Sequence, residues 1–192
     1  MEYNLDDMRK KLFDTFDSNS GYSMDDFNKE FNGQMHLAEN DSFKLKVNFK
    51  NESTNPDPEY ATSGSSGFDL RANLNESITI PAKQRVIVPT GLFFELPENF
   101  EIQVRPRSGL AAKNGVTVLN TPGTIDADYR GEIKVILINL GEQPFEIIHG
   151  DRIAQAVVAS VTAKNVINLN RVTEISQDTE RGSGGFGSTG KN

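Results

Sequence analysis

The 192-residue chain contains no cysteine, no tryptophan and only two histidines. Without cysteine it cannot form disulfides, thiolate metal sites or a cysteine nucleophile, and this composition is typical of a reducing compartment. The two histidines, His36 and His149, lie far apart in the sequence, which argues against a histidine metal site or a serine–histidine hydrolase. We therefore expect chemistry based on carboxylates, hydroxyls, arginines and glycines.

Long apolar runs are also absent. No stretch reaches about 18 apolar residues, the length that a membrane-spanning helix requires. The first residues, 1–7, lack the basic and then apolar pattern of a secretory signal. The sequence therefore predicts a cytoplasmic protein that does not bind membranes.

The negative charge is concentrated at the start of the chain. Residues 1–42 contain 10 acidic and 4 basic residues, which leaves 17 acidic and 16 basic residues for the remainder. A nearly neutral remainder argues against a nucleic-acid-binding face, which needs an excess of basic residues. We predict that residues 1–42 form an acidic extension that is helical or mobile, and the sequence leaves its role open.

The rest of the chain has the pattern of short β-strands. Apolar residues alternate with polar ones over 43–49, which predicts a half-buried strand at the start of the folded body. Further β-rich runs, separated by turn residues, cover 78–80, 85–88, 92–96, 101–104, 116–119, 133–138, 145–148 and 153–161. One or two helical turns are predicted at 108–113. This organisation predicts an all-β barrel or jelly roll.

Two segments between the strands carry candidate functional groups. Arg105–Ala111 combines arginines, Ser108 and Gly109 at the start of the predicted helical turn, which suits an oxyanion cradle. Asn120–Gly131 is a polar hairpin whose backbone can read the edge of a base. Within it Asp126 is either a general base for water or a turn residue that accepts backbone hydrogen bonds, and Tyr129 can cover a sugar face.

The glycine-rich C-terminal segment, 181–192, matches the letters of a dinucleotide fingerprint and most of a P-loop. Both interpretations fail, because each motif needs a preceding strand and a following helix. The segment is either disordered or folded onto a ligand or a neighbouring subunit. Arg181, Ser188 and Thr189 could then wrap a polyphosphate while Phe186 stacks on a base.

Taken together, these segments resemble the five ordered motifs of the deoxyuridine triphosphatase (dUTPase) family, over roughly residues 43–192. The matching stretches are Ser66–Ala72, Arg107–Ala111, Gly123–Glu132, Gly150–Gln155 and Arg181–Gly190. Phe68 occupies a position where the family more often has tyrosine. Five matches in the right order make the resemblance specific.

The resemblance implies an all-β dUTPase-like jelly roll (β-clip) that assembles into a homotrimer with shared active sites. Its parts would be the extension 1–42, a β domain over 43–180 and an arm over 181–192 that closes the active site. The implied reaction is Mg²⁺-dependent hydrolysis of dUTP to dUMP and pyrophosphate. This activity keeps uracil out of DNA and supplies dUMP for thymidylate synthesis.

The resemblance also implies a role for each matching residue. Asp126 would orient and deprotonate the attacking water, and Asp69 would act only through waters on Mg²⁺, without a direct protein ligand to the metal. The phosphates would be bound by Arg107, Ser108, Gly109 and Gln155, and by Arg181, Ser188 and Thr189 of the arm. The nucleoside would be bound by Asn120 and the backbone of Gly123, Thr124 and Ile125 at uracil, by Tyr129 under the deoxyribose, and by Phe186 with Gly187 over the base.

Two alternatives remain at this point. A dCTP deaminase resembles the same fold but would release ammonia instead of pyrophosphate. A ligand-sensing protein could keep the nucleotide pocket and use residues 1–42 to contact a partner. The residue types expected for catalysis at positions 107, 126 and 129 are all present, which favours the hydrolase.

Overall fold

The computed structural model describes residues 45–162, 167–185 and 188. The predicted extension over 1–42 lies outside these residues, as do the arm positions Phe186, Gly187 and Thr189. Apart from Asn48, all residues of the strands given below belong to one compact unit, which begins at Phe49. None of the helices in the described ranges is long and apolar enough to cross a membrane.

The described chain is built of short strands and one helix, which confirms the predicted all-β class. The strands are β1 (Asn48–Asn51), β2 (Phe68–Arg71), β3 (Ile78–Ile80), β4 (Arg85–Pro89), β5 (Leu92–Glu95), β6 (Phe100–Arg105), β7 (Val116–Val118), β8 (Gly123–Ile125), β9 (Lys134–Asn139), β10 (Phe145–Ile147) and β11 (Arg152–Ser160). The helix, α1 (Ser108–Asn114), ends at Gly115, whose left-handed backbone caps it.

The strands form four small sheets that share one core. The largest sheet has the order β2-β11-β6-β8, a second has the order β4-β9-β7, and β3 with β10 and β1 with β5 form two pairs. Alternate residues of the strands point inward, where the side chains of Leu70, Ile80, Ile102, Leu137 and Ile147 are fully buried. The alternate side chains on the other face of the largest sheet, such as those of Asp69 and Gln155, point away from this core.

A β-bulge interrupts the pairing of β11 with β2. The register shifts between Arg152, which lies opposite Arg71, and Ala154, which lies opposite Leu70. Ile153 and Ala154 are both buried, so two successive residues point inward. Because side chains otherwise alternate along a strand, this extra inward residue turns Arg152 to the outer face of the sheet.

The predicted strands from 78 onward agree with the observed ones to within one residue at each end, as does the helical turn. The strand predicted at 43–49 is misplaced. Residues 45–47 are not in a strand, β1 covers Asn48–Asn51, and Leu45 and Phe49 are each 44% exposed. The alternation therefore does not mark a half-buried strand. Strands β2 and β8 were not predicted.

Asn139 at the end of β9 connects three parts of the backbone inside the core. Its Nδ2 donates to the carbonyl oxygens of Ile80 (3.0 Å) and Gln143 (2.8 Å), and its Oδ1 accepts from the N–H of Gly141 (2.9 Å). The side chain is fully buried. These bonds fix the end of β9 against β3 and against the turn before β10.

We expect Asn139→Ala to lower the free energy of unfolding by about 3 kcal/mol, because it leaves buried backbone groups without partners. Urea unfolding at one fixed protein concentration measures the change. Asn75→Ala, at an exposed loop position, is the matched control and should change stability by less than about 0.5 kcal/mol. Equal losses in the two variants would contradict the structural role of Asn139.

Candidate active site

The outer face of β2 carries a carboxylate between two arginines. Phe68 and Leu70 point into the core, so Asp69 points outward. Its Oδ1 lies 3.2 Å from Nε of Arg107, and its Oδ2 lies 3.1 Å from Nη1 of Arg152. Arg107 also donates from Nη1 to the carbonyl oxygen of Arg152 at 2.9 Å. Asp69 of β2 thus pairs with two arginines, Arg107 just after β6 and Arg152 at the start of β11.

Gln155 and the start of α1 extend this group. Gln155 lies opposite Asp69 on one side and opposite Arg105 on the other, and its Nε2 donates to the carbonyl oxygen of Pro106 at 2.9 Å. Arg107 is the N-cap residue of α1. Ser108 and Gly109 follow it, and both residues are exposed. We call Asp69, Arg107, Ser108, Gly109, Arg152 and Gln155 the arginine cluster.

The arginine cluster gathers five residues that the sequence analysis selected, and adds Arg152, to which the sequence analysis gave no role. Position 152 follows a Gly-Asp turn and begins a strand, and alternation from Gln155 would place it on the buried face. Only the bulge turns it outward. A bulge of this kind leaves no reliable mark in a single sequence.

The predicted hairpin is present, but its loop contains a further strand. β7 and β9 pair directly through Val118 and Leu137, and between them β8 crosses to pair with β6. Asn120 lies beside Gly123, where an added Cβ would come within 3.3 Å of the Asn120 Nδ2. Asp126 follows β8 and is exposed, and its carbonyl oxygen accepts the N–H of Tyr129 at 3.1 Å.

The ring of Tyr129 folds back over Gly131. Its hydroxyl donates to the carbonyl oxygen of Glu132 at 3.1 Å. A Cβ on Gly131 would lie 2.5 Å from Cζ of the tyrosine, so any larger residue at 131 would displace the ring from this position. Glu132 in turn accepts the N–H of Gly91 at 2.9 Å, which connects the hairpin to the turn between β4 and β5. Tyr129 is therefore held as a fixed platform, with 44% of its surface exposed.

Asp126 and the arginine cluster lie at different places on the same sheet. Ile125 pairs with Ile102, and Asp126 comes next, whereas Arg107 follows the opposite end of β6. Five chain positions separate Ile102 from Arg107, about 16 Å of extended chain at about 3.3 Å per residue. A general base acts within hydrogen-bond distance or through one water. A single chain therefore does not bring Asp126 to its own arginine cluster.

The C-terminal segment forms turns with itself. Nε of Arg181 donates to the carbonyl oxygen of Gly184 at 2.9 Å. The N–H of Ser188 donates to the carbonyl oxygen of Gly185 at 3.0 Å. The hydrogen bonds that residues 167–185 and 188 make with other described residues all stay within this segment. Its apolar side chains are exposed: Ile167, Leu169, Val172 and Ile175. Among the described residues, no hydrogen bond or ion pair joins Arg181 or Ser188 to the arginine cluster of the same chain.

A sequence model of the dUTPase family matches residues 53–190. A deoxyuridine 5'-triphosphate nucleotidohydrolase of Rhizobium rhizogenes is 56% identical over 135 residues, which cover 69% of this chain and 84% of that protein. A protein of the same name from Treponema denticola is 57% identical over 133 residues, which cover 69% of this chain and 90% of that protein.

The fold has a close counterpart among solved structures. A Staphylococcus bacteriophage 80alpha dUTPase, solved with dUpNHpp, superposes with a TM-score of 0.68 at 22% identity and covers 77% of this chain and 99% of that one. At this identity the likeness concerns the fold, and it confirms the jelly-roll-like arrangement of the strands.

Fold and relatives together define an all-β nucleoside triphosphate pyrophosphohydrolase. The chain belongs to the dUTPase family. It is a dUTP diphosphatase that hydrolyses dUTP to dUMP and pyrophosphate.

The packing of Tyr129 on Gly131 leads to a prediction. Gly131→Ala should lower kcat/KM for dUTP by about tenfold or more, because the added methyl group displaces the ring and the hairpin that also carries Asp126. Gly64→Ala is the matched control, since no heavy atom lies within 4 Å of its added Cβ. Steady-state pyrophosphate release measures both. Unchanged kinetics in Gly131→Ala would contradict the fixed platform.

Proposed function

We propose that dUTP is hydrolysed by in-line attack of water on the α-phosphorus, in sites that are shared between the three subunits of a homotrimer. The observation that carries this proposal is the separation of Asp126 from the arginine cluster along β6. Both groups must meet one triphosphate, because the base and the phosphate ligands act on the same phosphorus. A second chain that supplies the hairpin fulfils this requirement.

In this proposal the arginine cluster binds the triphosphate. Arg107 presents a planar guanidinium suited to two phosphate oxygens, and Ser108 and Gly109 lie directly after it. Gln155 is held beside them through Pro106. Since phosphoryl transfer depends chiefly on position and charge neutralisation, these groups are sufficient for much of the binding.

Asp126 would be the general base. It lies on the exposed tip beyond β8, where a water can reach its carboxylate and a neighbouring chain can approach. Asp126 would take a proton from the attacking water while pyrophosphate leaves. Asp128 is exposed in the same turn and serves as a natural comparison.

The hairpin would select the nucleoside. β8 is the last strand of its sheet, so one side of its backbone has no strand partner within the described part of the chain. Backbone groups of Gly123, Thr124 and Ile125, with the amide of Asn120, are thus available to uracil. The fixed ring of Tyr129 would pack under the deoxyribose and exclude a 2′-hydroxyl.

Mg²⁺ would arrive with the triphosphate. Both carboxylate oxygens of Asp69 already have guanidinium partners, and the described ranges hold no cluster of three acidic or histidine side chains that could ligate a metal. This donor set fits a hydrated ion that Asp69 contacts through water. When bound, Mg²⁺ would neutralise charge on the phosphate oxygens.

The arm would complete a site on another subunit. The segment that leads to the arm, 167–175, has exposed apolar side chains, which are typical of a chain that packs against a partner. Arg181, Ser188 and Thr189 would then bind the terminal phosphate, while Phe186 and Gly187 would cover uracil. We propose the division 1–42, 43–180 and 181–192 on the same basis, as extension, β domain and arm.

Asp126→Asn should keep nucleotide binding and lower kcat by about a hundredfold or more, because the amide cannot accept the proton of water. Pyrophosphate release measures turnover, and calorimetry with the non-hydrolysable analogue dUpNHpp measures binding.

Asp128→Asn is the matched control, since it removes a neighbouring exposed carboxylate from the same turn. It should retain most of the activity. Both assays are run with Mg²⁺ and with EDTA, and EDTA should abolish the parental activity. Parental turnover in Asp126→Asn would show that another group is the base.

Deletion of residues 181–192 should remove most dUTP hydrolysis without unfolding the β domain, because the hydrogen bonds among described residues of this segment reach no further than Thr179 and join none of the strands. Circular dichroism and thermal melting report on the fold, and pyrophosphate release reports on activity. An active truncated protein would rule out closure by the arm, and a truncated protein that unfolds would make the arm a structural element.

A further inference from the structure

Arg152 makes two contacts at the arginine cluster that the established reaction does not explain. Its guanidinium pairs with Oδ2 of Asp69 at 3.1 Å, and its backbone carbonyl accepts from Nη1 of Arg107 at 2.9 Å. One residue therefore contacts both the carboxylate and the cation of the cluster. Removal of its side chain breaks the first contact and leaves the second in place.

The contact of the Arg152 side chain with Asp69 depends on the bulge in β11. Without the additional inward residue at Ile153, the side chain at 152 would point into the core. With it, Arg152 lies on the outer face beside Asp69 and Gln155. Bulges that redirect a side chain in this way occur preferentially next to active sites.

We propose that Arg152 is a positioning residue for dUTP hydrolysis, which holds the carboxylate of Asp69 in place when Arg107 turns to the phosphates. The inference rests on the proposed roles of Asp69 and Arg107. In the free protein each oxygen of Asp69 has its own guanidinium. Once Arg107 binds phosphate, Asp69 without Arg152 would be a lone anion beside a triphosphate, and repulsion would displace it. Arg152 supplies the remaining positive charge.

The side chain of Arg152 is half exposed, so it could also bind substrate directly. The two roles differ in their kinetics. A residue that acts through Asp69 affects the reacting geometry and hence kcat, whereas a direct phosphate ligand of the ground state affects KM. If Arg152 acts through Asp69, the effect of mutating Arg152 disappears when Asp69 is already mutated. If Arg152 binds phosphate directly, the effect remains.

The first experiment compares Arg152→Met and Arg152→Lys with the parent protein, with steady-state pyrophosphate release from dUTP. Arg152→Met should lower kcat by about 10- to 100-fold, as is typical for the loss of a group that orients an active-site ligand. KM should stay within about threefold of the parental value. Arg152→Lys keeps the charge and should recover a large part of kcat. Arg85→Met, at an exposed position of β4, controls for the change in net charge.

The second experiment is a double-mutant cycle with Asp69→Asn. If Arg152 acts through Asp69, the double variant Asp69→Asn with Arg152→Met should have the kcat of Asp69→Asn alone, within about twofold. Additive losses, or a raised KM with unchanged kcat in Arg152→Met, would overturn the inference. Thermal melting of each variant checks the fold, and if Arg152→Met does not fold, Arg152→Gln, which also removes the charge, takes its place in the cycle and is judged by the same criteria.

The outcomes separate this inference from the proposed function. Parental activity in Asp69→Asn would contradict the assignment of the arginine cluster itself. A loss in Asp69→Asn with additive behaviour of Arg152→Met would leave the cluster intact and contradict only the positioning role.

Discussion

Strand β11 hydrogen-bonds to β2 on one side and to β6 on the other, and the arginine cluster depends on the register of both pairings. The register places Gln155 between Asp69 and Arg105, and the bulge adds Arg152 to the same face. These side chains come from three separate strands, β2, β6 and β11. A shift of β11 by one residue would turn Gln155 into the core and away from Asp69 and Arg105. The buried pair Ile153 and Ala154 therefore fixes the site as well as the fold.

The hairpin uses a different means to fix its functional groups. It has few buried side chains, and its shape comes from contacts within the loop, such as the ring of Tyr129 on Gly131 and the bond from Tyr129 to Glu132. Glu132 then ties the loop to the turn at Gly91. The two halves of the site are thus fixed independently, which suits a site whose halves come from different chains.

Much of the fold could be predicted from the sequence, because strands β3 to β7 and β9 to β11 carry apolar runs bounded by turn residues. β2 and β8 could not, since they are three or four residues long and lie among glycine, serine and threonine. The alternation at 43–49 was misleading because Leu45 and Phe49 stay largely exposed. Among the site residues, those in motifs were recognised by resemblance. Arg152 was missed because its orientation depends on a bulge, which is a property of the pairing of two strands.

The turns of the C-terminal segment bear on the entropy of closure. Ordering a residue costs about 1–2 kcal/mol of backbone entropy, and a glycine-rich chain loses more than most. The bonds from Arg181 to Gly184 and from Ser188 to Gly185 already restrict part of this segment before any nucleotide binds. An arm that closes from such a state has fewer dihedral angles left to fix. In the proposed closure, more of the binding energy from the terminal phosphate would then remain for affinity.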